Sequence, residues 1–262
     1  MPGRKPKIAL VLGAGSARGF AHIGVLQVLN KNGIYPNIIV GSSMGAMVGG
    51  VYACGADLIM LEKMLDSIDT RSFFDVQVPR MGFVAGKKIS TLLKLLTKNK
   101  NFADLNIKLQ IVATDLLSSQ TIVLDQGSIA EAIRASISIP GIFHPVKRDG
   151  MVLVDGAITD RLPVDVAIKH KADLVIAVDV TFTEEKEIEI RNVLDVIIHS
   201  LDLMQKNHFE ASAENADFLL QPRLRCFSSS DFSKSSQIIE LGRQAAQEQI
   251  KAITAAVHEL SL

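Results

Sequence analysis

Ser43 lies in Gly41-Ser42-Ser43-Met44-Gly45, a G-x-S-x-G pattern that sets a serine on a sharp strand-to-helix turn with its hydroxyl pushed out of the fold. The flanking glycines suit that role, because a side chain on either would crowd the turn or an approaching substrate. A five-residue pattern is also what a plain Gly/Ser turn before a core helix looks like, so the rest of a hydrolytic site must be sought elsewhere. A serine hydroxyl needs a base to take its proton and donors to hold the oxyanion that forms. Gly13-Ala14-Gly15-Ser16 is the candidate for the donors, since a glycine-rich turn opening a helix points several N–H groups at one place. The same turn could hold a nucleotide pyrophosphate. Against that, Arg18 stands where the dinucleotide fingerprint needs glycine, and Val40-Gly41 replaces the expected acid at the end of the second strand. Asp155 is the candidate base: it follows the apolar run Met151 to Val154 and precedes Gly156-Ala157, which lets the chain turn away. Read locally, it is equally a capping or turn aspartate. Of the six histidines, His170, His199, His208 and His258 fall in expected helices or near the C-terminus. His22 is expected to face a neighbouring helix, and His144 sits in a proline-flanked loop. A Ser–His arrangement stays open on these grounds.

These residues need a scaffold, and the chain reads as an alternation of strands and helices. Lys7 to Leu12 forms a first buried strand, followed by the glycine turn and a helix through about Asn32 with Gly33 as its stop. Ile34 to Val40 leads into the second strand and the serine turn, and Ala46 to Ala53 is small and apolar, as a helix packed closely on a sheet must be. Asp57 to Asp69 continues as helix, and Arg71 to Leu105 is the least regular stretch. Within it, Lys87 to Lys98 carries Leu92, Leu93, Leu95 and Leu96 beside several lysines. A basic amphipathic helix can rest on an anionic membrane, but a core-facing helix with a solvated lysine face is the favoured reading. Strand-like runs recur at Lys108 to Thr114, Thr121 to Leu124, Met151 to Val154 and Asp173 to Asp179. Helices are expected from Ser128 with a capping box, from Pro163 to His170, near Asn192 to Glu210 and from about Ser236, with a short strand near Phe218. Such alternation makes a layered α/β fold with a largely parallel sheet.

Composition narrows the function classes. Hydrophobic residues are 48% and aromatics 5%, so the core is aliphatic and glycine-rich. Lys+Arg and Asp+Glu number 28 each, which argues against a general nucleic-acid binder. Cys54 and Cys226 lack disulfide-type or metal-type neighbours, pointing to a reducing compartment. Arg4, Lys5 and Lys7 before Ile8 to Ala14 faintly imitate a signal peptide, but Arg18 and His22 interrupt it. The expectation is one domain over 1–262, a core at about 7–180 and a helical part at about 190–262, in a soluble cytoplasmic protein. No metal-ligand cluster or cofactor is expected.

Gly13 to Gly19, Gly41 to Gly45 and Asp155-Gly156-Ala157, in this order, resemble the patatin-like phospholipase family, and in particular its bacterial stand-alone members related to the catalytic domain of neuropathy target esterase. Ala135 to Pro145 is similar to a further family block, and Thr114-Asp115 also fits. The resemblance runs from about Lys7 to about Val180, less firmly to Arg223. It implies a three-layer α/β/α fold with a mainly parallel central sheet. It further implies a Ser–Asp dyad of Ser43 and Asp155, an oxyanion hole at Gly13, Ala14, Gly15 and Ser16, and hydrolysis of a phospholipid, lysophospholipid or simpler fatty acyl ester, with peripheral membrane contact. Acyl transfer, a Ser–His–Asp esterase, and a lipid- or nucleotide-binding regulator without catalysis are the alternatives. Arg18 matches the family's basic position, as an anion contact or a brace. Ala14 and Ser16 stand where the family has glycine, which requires both to keep ordinary backbone conformations.

Overall fold

A computed structural model describes residues 4–67, 86–181, 190 and 192–262. Its centre is an eight-stranded sheet of β1 (Ile8–Leu12), β2 (Ile38–Ser42), β3 (Lys108–Asp115), β4 (Gln120–Leu124), β5 (Val146–Arg148), β6 (Met151–Asp155), β7 (Leu174–Val178) and β8 (Phe218–Leu220). The order is β5-β6-β3-β2-β1-β7-β8, with β4 also paired to β3. β3, β2, β1, β7 and β8 run parallel, and β4, β5 and β6 extend the sheet antiparallel. β1 and β7 are apolar throughout because both their faces are covered. Ile8, Leu10 and Leu12 of β1 enter one core, while Ala9 and Val11 enter the other.

The larger core lies under α1 (Ala21–Lys31), α2 (Met44–Ala53), α3 (Leu58–Ser67), α4 (Lys87–Leu96), α5 (Ile129–Ser136) and α8 (Ser235–Glu259). The smaller core lies under α6 (Val164–Ile168) and α7 (Val193–Ala213). The architecture is therefore helix, sheet, helix, as the resemblance implied.

Several element boundaries depart from the sequence reading for local reasons. The helix expected to continue over Asp57 to Asp69 is a new one: Gly55 turns the chain at φ +82°, and Asp57 accepts the Ile59 and Met60 N–H groups to open α3. Asp69 and residues 71–85 of the irregular stretch lie outside the described residues, while Lys87–Leu96 is helical. The turn Ser16–Phe20 is a 3₁₀ segment feeding α1.

Candidate active site

The register of β3 explains how residues 112 positions apart come into contact. Val112 pairs with Ser42 on one edge and Val123 on the other, and Ala113 pairs with Asp155 and Ile122. β2 and β6 therefore share one edge of β3 and meet end to end, with Ser42 and Asp155 on consecutive β3 positions. Each strand delivers its last residue to the same point. Ser43, one residue past β2, places Oγ 2.6 Å from Asp155 Oδ2, and both residues are buried.

Ser43 adopts φ 53°, ψ −120°, a conformation that costs about 1–3 kcal/mol for a side-chain-bearing residue. The surroundings hold it there. Its N–H donates to Ser136 Oγ at 2.9 Å, and that hydroxyl donates to the Val112 carbonyl at 2.6 Å. Gly45 opens α2 directly against the end of β1, where a Cβ would overlap the Leu12 carbonyl oxygen and come within 2.8 Å of the Gly13 oxygen. The serine turn and the glycine turn are thus in contact.

Asp155 is fixed at every polar atom. Oδ1 accepts the Ala157 N–H at 2.9 Å, its own N–H donates to Ser138 O at 3.0 Å, and its carbonyl accepts the Thr114 hydroxyl at 3.0 Å. Burial raises its pKa to about 6, with the hydrogen bonds from Ser43 and Ala157 opposing the rise. A buried carboxylate whose free lone pairs face a serine hydroxyl is a base better matched to neutral pH than an exposed aspartate.

The glycine turn requires two corrections. The Gly13 N–H donates to Val178 O at 3.0 Å and the Ala14 N–H to Arg161 O at 3.0 Å, so neither is available to an oxyanion. Both groups stitch the turn to β7 and to the loop after Asp155. Among the described residues, the Gly15 and Ser16 N–H groups find no hydrogen-bond acceptor. Ser16 also adopts φ 51°, against the expectation of an ordinary backbone conformation, whereas Ala14 meets it. That twist opens the 3₁₀ turn without a glycine.

Arg18 is buried and reaches Asp202 Oδ2 on α7 at 3.4 Å, while Arg161 Nη1 lies 2.5 Å from Asp202 Oδ1. The geometry is that of a brace. His22 is fully buried against the glycine turn: its Nε2–H donates to Gly13 O at 2.8 Å, and burial lowers its pKa to about 4, so it stays neutral. None of the six histidines hydrogen-bonds Ser43 or Asp155. Among the described residues no group of three or more His, Cys, Asp or Glu is arranged to hold a metal. Ser136, Ser138 and Asp202 carried no local signal as supports, because their partners lie far away in sequence. Beside Ser43, Met44 lines a narrow apolar cleft of about 40 Å³ with Phe20, Met47, Leu61, Leu92 and Leu96.

The patatin-like phospholipase family model matches residues 10–168, a span that contains both turns and Asp155. An uncharacterised NTE family protein of Mycobacterium tuberculosis is 39% identical over 181 residues, covering 68% of this chain and 50% of that protein. Lysophospholipase NTE1 of Scheffersomyces stipitis is 26% identical, covering 92% of this chain and 18% of that protein. The chain therefore spans half or less of the length of these curated relatives. Among solved structures, VipD of Legionella pneumophila aligns with a TM-score of 0.60 at 14% identity, over 96% of this chain and 68% of that one. That likeness concerns the fold. Because the matched span holds the serine turn, the glycine turn and the Asp155 strand in order, the chain belongs to the patatin-like phospholipase family.

Proposed function

We propose that this protein is a serine acyl-ester hydrolase acting on lipids, with Ser43 as nucleophile and Asp155 as its base. The observation that carries the reading is the 2.6 Å hydrogen bond from Ser43 Oγ to the buried Asp155 carboxylate. Asp155 Oδ2 takes the hydroxyl proton as Oγ bonds to the ester carbonyl carbon. The Gly15 and Ser16 N–H groups donate hydrogen bonds to the carbonyl oxygen as negative charge develops on it. The intermediate collapses, the alcohol leaves with the proton from Asp155, and the acyl group stays on Ser43. Water then gives a proton to Asp155 and its oxygen to the acyl carbon, and the proton returns to Ser43 Oγ as the fatty acid departs.

The lipid class rests on the family and on the apolar cleft beginning at Met44, whose lining, among the described residues, is apolar throughout. Lysophospholipase NTE1, among the relatives, bears a name of that class. No helix among the described residues is long and apolar enough to cross a membrane, so contact with lipid would occur at a surface. The test is intact-protein mass after treatment with a fluorophosphonate ester. One adduct is expected in the wild type, none in Ser43→Ala, and an adduct formed roughly 10²–10⁴-fold more slowly in Asp155→Asn. An unlabelled wild type would refute the reading and favour a binding protein on this fold.

A further inference from the structure

α4 presents three different faces. Leu93 is fully buried, and Leu92 and Leu96 line the apolar cleft that ends at Met44. Leu95 is 73% exposed, flanked by exposed Lys94 and by Lys98. Residues 86–100 hold Lys87, Lys88, Lys94, Lys98 and Lys100 and not one carboxylate, in a chain of net charge zero. Lys98 Nζ donates to Gly55 O at 2.8 Å, tying this end of α4 to the loop before α3, whose first turn exposes Ile59 and Met60.

Ser90 and Lys94 on the remaining face line a second cleft, of about 310 Å³, with Glu131, Arg134, Lys147 and Arg148. Arg134 is committed to Ser138 and the His144 carbonyl, and Arg148 to the Gln126 carbonyl and Asp149. Among the described residues, the Lys94 and Lys147 ammonium groups make no ion pair or hydrogen bond, and Glu131 is the one carboxylate lining the cleft. Cationic cleft, apolar ridge and apolar slot adjoin along one helix. A core-facing helix needs its buried leucines, but it does not need an outward leucine between Lys94 and Lys98 beside a basic cleft.

We propose that α4 and this cleft seat the protein on an anionic phospholipid surface. Leu95, Ile59 and Met60 enter the headgroup layer, and Lys94 and Lys147 hold lipid phosphates in the cleft. Charge complementarity selects this occupant: a patch with an excess of lysine around apolar tips suits a negatively charged interface. The proposal rests on the lipid-hydrolase reading only in making the apolar slot an entrance for an acyl chain.

The test is sedimentation with phosphatidylcholine vesicles, with and without phosphatidylglycerol, in a Ser43→Ala background so that lipid stays intact. Binding is expected to the anionic vesicles alone and to weaken with salt. Lys94→Glu with Lys147→Glu should lower the partition coefficient roughly 30-fold or more, given the contribution of each lysine near an anionic leaflet. Leu95→Ser should lower it several-fold. In the Ser43-containing protein, the same changes should leave melting temperature and hydrolysis of a soluble short-chain ester unchanged. Binding that ignores phosphatidylglycerol, or survives charge reversal, overturns the proposal. So does saturation by soluble glycerophosphate without vesicle binding, which would mark a small-anion site. Charge-dependent vesicle binding without hydrolysis of any ester supports the docking and sinks the hydrolase reading; hydrolysis of soluble ester with charge-blind binding does the reverse.

Discussion

Asp155 carries opposite demands that set its behaviour with pH. Its pKa is raised from 3.8 to about 6, and burial is the main cause. The protonated form cannot accept the Ser43 proton, so kcat/KM for a soluble ester should fall on the acid side with a midpoint near 6. A midpoint near 4 would show the carboxylate to be better solvated than its burial requires. The same shift has a cost for the fold. The folded pKa lies above the unfolded one, so the native state binds the proton more tightly; stability from this group is greatest below about pH 4 and declines as pH rises through 6. At neutral pH the buried carboxylate destabilises the protein by on the order of 3 kcal/mol. Asp155→Asn removes that charge while keeping an acceptor for the Ala157 N–H. The variant should therefore be inactive yet more stable than wild type at pH 8, with the difference vanishing near pH 4. Urea denaturation at both pH values checks this, and a destabilised variant at pH 8 would show that the hydrogen bonds outweigh burial.

Elements were legible where one physical signal dominated. β1, β2 and β7 are short aliphatic runs because both faces of a parallel strand are covered, and the sequence shows that directly. The antiparallel pairing of β4 and β6 with β3, and of β5 with β6, was not legible, since alternation says nothing about which way a neighbour runs. Nor was the close crossing of α1 and α8. A Cβ on Gly242 would overlap the Ala21 carbonyl oxygen, and one on Gly24 would overlap the Ile239 carbonyl oxygen, so each helix needs its glycine for the other's backbone. In an exposed helix, Gly→Ala stabilises by about 1 kcal/mol. Here Gly242→Ala should do the opposite, destabilising by about 3 kcal/mol and lowering the melting temperature by roughly 10 °C. Ala21 is the first residue of α1, directly after the 3₁₀ turn, so activity should fall with stability. A raised melting temperature would mean that the two helices can separate without strain.

Across the whole molecule, the site is a junction of segments whose meeting no local pattern encodes. Three motifs in order pointed to Ser43, Asp155 and the glycine turn as candidates, but which N–H groups of the turn are free depended on β7 and on Arg161. The same limit applies to Arg18, whose contact with Asp202 on α7 no local pattern encodes. Arg18, Arg161 and Asp202 form a cluster with side-chain exposures of 1%, 3% and 8%, joining the glycine turn, the loop after Asp155 and α7. His199 Nδ1 stands 3.7 Å from the same carboxylate. Burial lowers the Arg18 pKa, and Asp202 is the largest influence opposing that. Removing the Asp202 charge leaves two guanidiniums buried without their common partner, a loss of about 3–5 kcal/mol. The damage should also reach the chemistry. Arg161 supplies the carbonyl that holds the Ala14 N–H, and Arg18 lies in the turn beside Gly15 and Ser16, so movement of either misaims those two donors. Asp202→Asn is therefore expected to lower the urea midpoint strongly and, at temperatures where it remains folded, to slow fluorophosphonate labelling of Ser43 by about 10²-fold. Leu203→Ser, at the adjacent 72%-exposed position, should change neither and serves as the control. A destabilised Asp202→Asn that labels at the wild-type rate would separate the brace from the oxyanion donors and confine the cluster to holding the fold.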